Sequence, residues 1–409
     1  MKNKNKVFIW SDNWWIEEDD VWFVGGMSNI LFHANLNTGK CDEAIEIPDL
    51  DICKYRLTPS CLKCGKDIFC IPGFGQTIWV YNLDSKNFTR IDIDKPEHLQ
   101  IRAQLWVKED ALLIVSCNWN KVMEISISQK VIKRYYTICE HDTIQGSVLV
   151  DNDIYMVTED SDNIYRLDLC TKTTEIYSLP FCKKRLAAIS YDGKKFWLYG
   201  YQRELYTWDK EDNSFAVINC FPKDFGVYDF TEKTDGMVDC EVTEYEYSTF
   251  LYSVMVGEYI WFIPRQTNKI LYIGRGSSTV SAFEIYEEQE TSESILMRGV
   301  YGFRFKYLLE YVKHDRYIGL FSIKHNRILE IDALELKYQW KDYSFSDECL
   351  WQCDQIYKGV YCEGQDVLFN QIYRRKLWAG DNKPHNSTGS GNIGKEIYRE
   401  LIKENEYDK

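Results

Sequence analysis

Seven times along this chain an apolar strand, a polar turn and a second strand opening on Ile, Leu or Val follow one another. The second strands are anchored at Ile30, Ile78, Val122, Ile164, Leu205, Ile270 and Ile328. In each pair the two strand starts lie nine or ten residues apart, which fits a hairpin of constant length. A strand unit returning every ~40 to 50 residues cannot bury both of its faces alone and must stack on its neighbours, as propeller blades do. The chain is therefore read as all-β, a β-propeller of four-stranded antiparallel blades, with seven blades preferred over six or eight and a short C-terminal helix.

The fourth repeat shows the unit most clearly. Val148-Leu149-Val150, Ile154-Tyr155-Met156-Val157, Ile164-Tyr165-Arg166-Leu167 and Glu175-Ile176-Tyr177-Ser178-Leu179 read as four strands of one meander. Anchor spacings of 48, 44, 42, 41, 65 and 58 residues make the fifth and sixth intervals long. The extra length falls near residues 223–250 and 277–304, and both insertions are acid-rich, the first holding Asp235, Asp239 and Glu241. Insertions in repeat proteins map to loops on one face and often carry function.

The propeller is assigned to residues 1–380, followed by a flexible linker over 381–392 and an amphipathic helix over 393–405. Ile393, Ile397 and Leu401 recur at helical spacing, so that the helix either docks on the ring or meets a partner. Val7 to Trp10 is expected to lend an outer strand to the last blade and so remove a sheet edge. Residues 349–380 read as a helix, a partial blade or a cap.

With 63 acidic against 49 basic side chains the net charge is −14, which opposes contact with nucleic-acid phosphates and anionic lipid. The chain shows neither a secretory signal pattern nor an apolar run long enough for membrane insertion, so a cytoplasmic location is expected. In that setting the 14 cysteines read as free thiols packed as small hydrophobes.

Motifs for chemistry are sparse. Cys61-Leu62-Lys63-Cys64 could chelate a metal, but a structural site wants a second pair at matching spacing, and Cys53 and Cys70 do not supply one. His141-Asp142 and His314-Asp315 could act as acid–base pairs, but a solvated loop is the preferred reading of each. Acids precede several strands, at Asp19-Asp20, Glu109-Asp110, Asp151, Asp153 and Glu258; they either line a rim or serve as turn residues. No catalytic, cofactor-binding or metal-binding residue is assigned and no cofactor is expected. Trp14, Trp119 and Tyr201 are the aromatic candidates for an exposed platform.

Gly25-Gly26 after Trp22-Phe23-Val24 resembles the double glycine that follows a blade strand in kelch repeats. The blade pattern, over about residues 7–345, is similar to the divergent kelch-like β-propellers of bacteria, although no other repeat keeps the glycine pair. Trp208-Asp209 likewise resembles the tryptophan–aspartate ending of another propeller class, and is not repeated. The resemblance implies architecture and transfers no catalytic residue. The expected function is a non-catalytic interaction or scaffold propeller binding a protein or peptide through rim loops, at Asp235, Asp239, Glu241, Trp14, Trp119, Tyr201, Ile393, Ile397 and Leu401. The alternative is a carbohydrate-binding or carbohydrate-active propeller of surface-glycan assembly.

Overall fold

The computed structural model describes residues 11, 14–25, 28–50, 57–180, 185–226, 248–265, 267–288, 306–322, 325 and 327–357. Blade one is β1 (Trp14–Glu17), β2 (Asp20–Val24), β3 (Ile30–Asn35) and β4 (Lys40–Glu46). Blade two is β5 (Ser60–Cys64), β6 (Asp67–Ile71), β7 (Thr77–Asn82) and β8 (Asn87–Asp92). Blade three is β9 (Arg102–Lys108), β10 (Ala111–Cys117), β11 (Lys121–Ser126) and β12 (Val131–Thr137). Blade four is β13 (Ile144–Val150), β14 (Asp153–Thr158), β15 (Asn163–Asp168) and β16 (Thr174–Ser178). Blade five is β17 (Leu186–Tyr191), β18 (Phe196–Gly200), β19 (Leu205–Asp209) and β20 (Ser214–Ile218). Blade six is β21 (Phe250–Val256), β22 (Tyr259–Pro264), β23 (Ile270–Gly274) and β24 (Ser281–Phe283). Blade seven is β25 (Tyr307–Lys313), β26 (Tyr317–Ser322), β27 (Arg327–Asp332) and β28 (Lys337–Lys341).

All seven sheets are antiparallel meanders in chain order, and the anchors read from the sequence open the third strand of each blade or sit one residue inside it. First strands of successive blades face one another around the axis, as β13, β17 and β21 do.

Burial explains why the hairpins stood out. Second and third strands are apolar on both sides because each blade is covered by two neighbours. Adjacent residues of β10 show it: Ile114 packs with Phe69 and Val80 of blade two, whereas Leu113 packs with Ile154 and Met156 of blade four. Outermost strands meet water, and β16 is largely exposed.

The turn between first and second strands repeats its geometry. Glu18, Gly65, Glu109, Asp151, Gly193, Gly257 and the pair His314 and Asp315 adopt φ between 48° and 92° there. Acidic residues at these turns therefore serve backbone geometry, since short polar side chains tolerate the left-handed region better than branched ones. Their neighbours are likewise engaged: Asp110 accepts from Ser126 Oγ at 2.7 Å and Ser128 N at 2.8 Å, and Asp19 pairs with Lys313 at 2.6 Å. These acids are turn residues, and the turns that hold them lie at one end of the ring. The turns after the third strands repeat as well. Asn35, Asp168, Asp209 and Asp332 each accept backbone N–H groups two or three residues on. Asp209 of Trp208-Asp209 is thus the ordinary turn residue of its blade.

At the seam between blades seven and one, all four strands of each blade come from one continuous stretch. Val7 to Trp10 lies outside the described residues. What the structure adds is β29 (Ser344–Phe345), which runs parallel to β4 and extends blade one outward, followed by α1 (Asp347–Tyr357). Asp347 and Glu348 in its first turn suit the positive end of the helix dipole. Gln352 Oε1 accepts from Ala44 N at 2.7 Å, and the Cys41 and Cys349 sulfurs lie 3.7 Å apart, so this strap covers the edge of the first sheet. Of the segment 349–380, its start belongs to this helix. The linker and tail helix over 381–405, with Ile393, Ile397 and Leu401, lie outside the described residues.

Cys61 and Cys64 lie within β5 rather than ahead of a strand. Three residues apart on a strand, their side chains point to opposite faces, which is the wrong arrangement for one ion. Cys61 is fully buried opposite Cys70 and donates to Trp22 O at 3.3 Å; neither cysteine is in a disulfide.

Candidate functional site: an arginine and tyrosine mouth

The two ends of the ring differ in chemistry. One end carries the turns between first and second strands, where Glu18, Glu109 and Asp151 alternate with Lys66, Lys194 and Arg316. At the other end first strands begin and second strands finish, and there basic and aromatic side chains gather. Arg102 opens β9 opposite Cys117. Arg185 precedes Leu186, which pairs with Gly200. Arg265 follows Pro264, which pairs with Phe250. Strand pairing thus brings three arginines from blades three, five and six to one end of the axis.

Local packing holds this end close. Thr249 N donates to Gly200 O at 3.1 Å, which ties blade six to blade five. A Cβ on Gly200 would meet the Arg185 carbonyl oxygen at 1.8 Å, so only glycine lets the two strands approach there. Tyr201 then turns its ring under the Arg185 guanidinium, whose centre lies 3.9 Å from the ring centroid. This is a close cation–π contact. Arg185 also pairs with Glu159, whose other oxygen accepts from Gln145 Nε2 at 3.1 Å. Arg265 Nη1 donates to Ser248 Oγ at 3.2 Å, and Arg203 donates to Phe225 O at 3.0 Å. Phe225 and Phe250 stack behind them at 6.1 Å.

Burial and neighbouring charge shift several of these groups. Burial, and then repulsion from Arg102, push the Arg265 guanidinium down to about 10, against the partial support of Tyr201, Tyr199 and Tyr252. Burial holds the Tyr199 hydroxyl far above its ordinary value, opposed by Arg102 and Arg265. Burial also raises Tyr201, with Glu159 adding to the shift and Arg185, Arg265 and Arg102 opposing it. A charged guanidinium in this setting is held against both desolvation and a like charge. The arrangement can receive an anion through hydrogen-bond donors and present aromatic flanks to whatever carries it.

The residues expected from sequence fare differently. Trp14 is 5% exposed and Trp119 is 8% exposed, which corrects their assignment as exposed platforms. Trp14 lies in the seam between blades one and seven, stacked on Phe23 at 5.0 Å. Trp119 belongs to the packing between blades two and three, edge-on to Tyr135 at 6.0 Å. Tyr201 is also buried, at 8% exposed, which corrects its assignment as an exposed platform in the same way; what covers it is the Arg185 guanidinium. Asp235, Asp239 and Glu241 lie outside the described residues, although the chain leaves for and returns from their insertion at this same end, by Phe225 and Ser248.

The histidine pairs are turn residues. Asp142 Oδ1 accepts from Thr143 N and Asp160 N, His141 is exposed, and Asp315 Oδ1 accepts from Gly257 N at 2.9 Å. Among the described residues no group of three Cys, His, Asp or Glu side chains is placed to hold a metal, and no helix is long and apolar enough to cross a membrane. Arg102, Arg185, Arg265 and Tyr252 were not anticipated. Their one sequence signal is position: Arg102 and Arg185 each stand twenty residues before an anchor, Val122 and Leu205.

No family model matches the chain, and no curated protein is significantly similar to it in sequence. Solved structures are similar to it in shape. The computationally designed Ika8 protein is 9% identical, with 83% of this chain and 90% of that one covered at a TM-score of 0.53. Virginiamycin B lyase from Staphylococcus aureus is 11% identical, covering 75% of this chain and 90% of its own, at 0.51. A streptogramin B lyase is 13% identical, covering 78% and 92%, also at 0.51. At such identities the likeness is one of fold alone: the chain is a seven-bladed β-propeller, and its kelch-like resemblance reaches no finer than that architecture.

Proposed function

We propose that the protein is a non-catalytic interaction propeller that binds a protein or peptide at the mouth formed by blades three, five and six. The observation that carries the reading is the stacking of Arg185 on Tyr201 at 3.9 Å beside Arg102 and Arg265. Arginine and tyrosine are the residue types that anchor interfaces, because they join a large rigid contact area to directional hydrogen bonds. The strands beneath are tied by Gly200 and Thr249, so the site is held in place before any partner arrives.

The test is selection from a displayed random-peptide library with the full chain. Peptides enriched by the native protein should lose most of their binding to a Tyr201→Ala, Arg185→Ala double variant that keeps its circular dichroism spectrum. Equal binding by the double variant refutes the mouth as the contact. Enrichment of no peptide, together with specific retention on a glycan array, would transfer the site to the carbohydrate alternative.

A further inference from the structure

We infer that Cys41 and Cys349 are a site of disulfide formation that, on oxidation, closes the ring covalently. Blades one and seven are each built from one continuous stretch. Among the described residues the chain beyond blade seven reaches blade one only through the strap of β29 and α1. The other contacts across this seam are side chains, such as Lys313 with Asp19 at 2.6 Å and Trp14 with Tyr311 at 6.3 Å. A bond from the strap to β4 would therefore join the two ends of the ring.

The strap sets the two thiols against each other. Ser346 N donates to Cys41 O at 2.9 Å, and the Ser346 hydroxyl accepts from Cys349 N at 3.1 Å, so one residue positions both backbones. The sulfurs lie 3.7 Å apart although 308 positions separate them in the chain. A disulfide bond is about 2 Å long, so closing it asks the sulfurs to approach by less than about 2 Å. Both side chains are fully buried, in one apolar cluster with Tyr343, Phe345 and Cys353. While the strap is seated, the Cys41 thiol donates to His33 O at 3.3 Å and burial holds its pKa above the ordinary value, so it is unreactive.

Reaction proceeds when α1 lifts from β4, a local opening, with a low-molecular-weight disulfide as the oxidant. The Cys349 thiolate attacks one sulfur of that reagent and displaces a thiolate, which takes up the proton the cysteine lost. As α1 reseats, the Cys41 thiolate attacks the protein sulfur of the mixed disulfide. The Cys41–Cys349 bond forms, and the second thiolate leaves and is protonated in turn. Two protein thiols are oxidised and one reagent disulfide is reduced to two thiols. In a reducing compartment the pair stays as thiols.

The experiment equilibrates the reduced full chain with oxidised glutathione, blocks the remaining thiols, and maps peptides by mass spectrometry without reduction. A Cys41–Cys349 linked peptide should appear. The thermal midpoint should rise by about 5 °C or more, because the bond closes a very long loop in the unfolded chain. Dithiothreitol should reverse both changes. Cys349→Ser should abolish both, and Cys353→Ser should keep both. The map of the native chain decides the pairing even if a variant does not fold. Glutathione on the exposed Cys170 and Cys220, with Cys41 and Cys349 still recovered as thiols, overturns the site. A Cys41–Cys353 link in its place overturns the pairing. A Cys41–Cys349 link that leaves the midpoint unchanged overturns covalent closure of the ring as its consequence.

Discussion

Trp14 offers the sharpest test of whether a conspicuous aromatic near the start of the chain is a binding platform or part of the ring. Its indole is 5% exposed and sits where the first strand meets the last blade, 5.0 Å from Phe23, 6.3 Å from Tyr311 and 5.4 Å from Tyr343. Truncating a buried Trp to Ala typically costs about 3–5 kcal/mol, from lost transfer energy and the cavity left behind. Here the indole Nε1 is buried with no hydrogen-bond partner among the described residues, a penalty of about 1–3 kcal/mol that truncation removes. The two effects oppose one another, and Trp14→Ala is expected to destabilise the protein by about 2 kcal/mol. Trp14→Phe keeps a ring against Phe23 and removes the orphaned N–H, so it should lie within about 1 kcal/mol of the native protein.

Guanidinium denaturation followed by far-ultraviolet circular dichroism measures both variants without relying on the lost fluorophore. A seam residue predicts an early midpoint for the alanine variant, a near-native midpoint for phenylalanine, and unchanged peptide affinity for both folded forms. A platform residue predicts the reverse: native stability for Trp14→Ala and lost binding. That second pattern would refute the packing argument outright, because no residue stacked in a closed seam can be removed without cost.

Two further outcomes follow from buried groups elsewhere. Tyr311 donates to Glu330 Oε2 at 2.8 Å inside the same seam, and Glu330 also meets Lys341 at 2.6 Å, so Tyr311→Phe should cost about 1.5–3 kcal/mol, the worth of a hydrogen bond to a charged group; an unchanged denaturation midpoint would remove this bond from the account of ring closure. Burial pushes the Cys61 thiol up to about 12, whereas Cys170 and Cys220 are exposed, so at about pH 8 iodoacetamide should label Cys170 and Cys220 long before Cys61, since the thiolate is the reactive form; equal labelling rates in peptide mass mapping would contradict the burial of β5.

What the sequence showed and what it hid have one physical origin. A blade is covered on both faces, so its second and third strands are continuous apolar runs, and Ile68-Phe69-Cys70-Ile71 or Phe196-Trp197-Leu198-Tyr199 announce themselves without knowledge of any partner. The same double coverage makes exposure unreadable. Trp14 and Trp119 lie outside the strongest runs, yet each falls against a neighbouring blade that is distant in sequence or contributes from another repeat. The helix of the strap was among the readings of residues 349–380, but β29 was hidden, because pairing of Ser344 with Lys40 depends on the ring bringing the end of the last blade beside the first.

The mouth shows where a better reading would begin. Arg102, Arg185 and Arg265 are separated by eighty residues or more from one to the next, and none belongs to a local motif. In a ring, however, proximity is set by position within the repeat rather than by distance along the chain. Residues twenty before an anchor open or precede the first strand, and the first strands surround the axis, so two arginines at that register must share one end of the molecule. Arg265 reaches the same end by the complementary route, at the close of a second strand, since Phe250 at the start of β21 pairs with Pro264 beside it. Once the blades are aligned on their anchors, the gathering of these arginines at one end becomes a consequence of antiparallel pairing, and the first-to-second-strand turns fall at the other end by the same register.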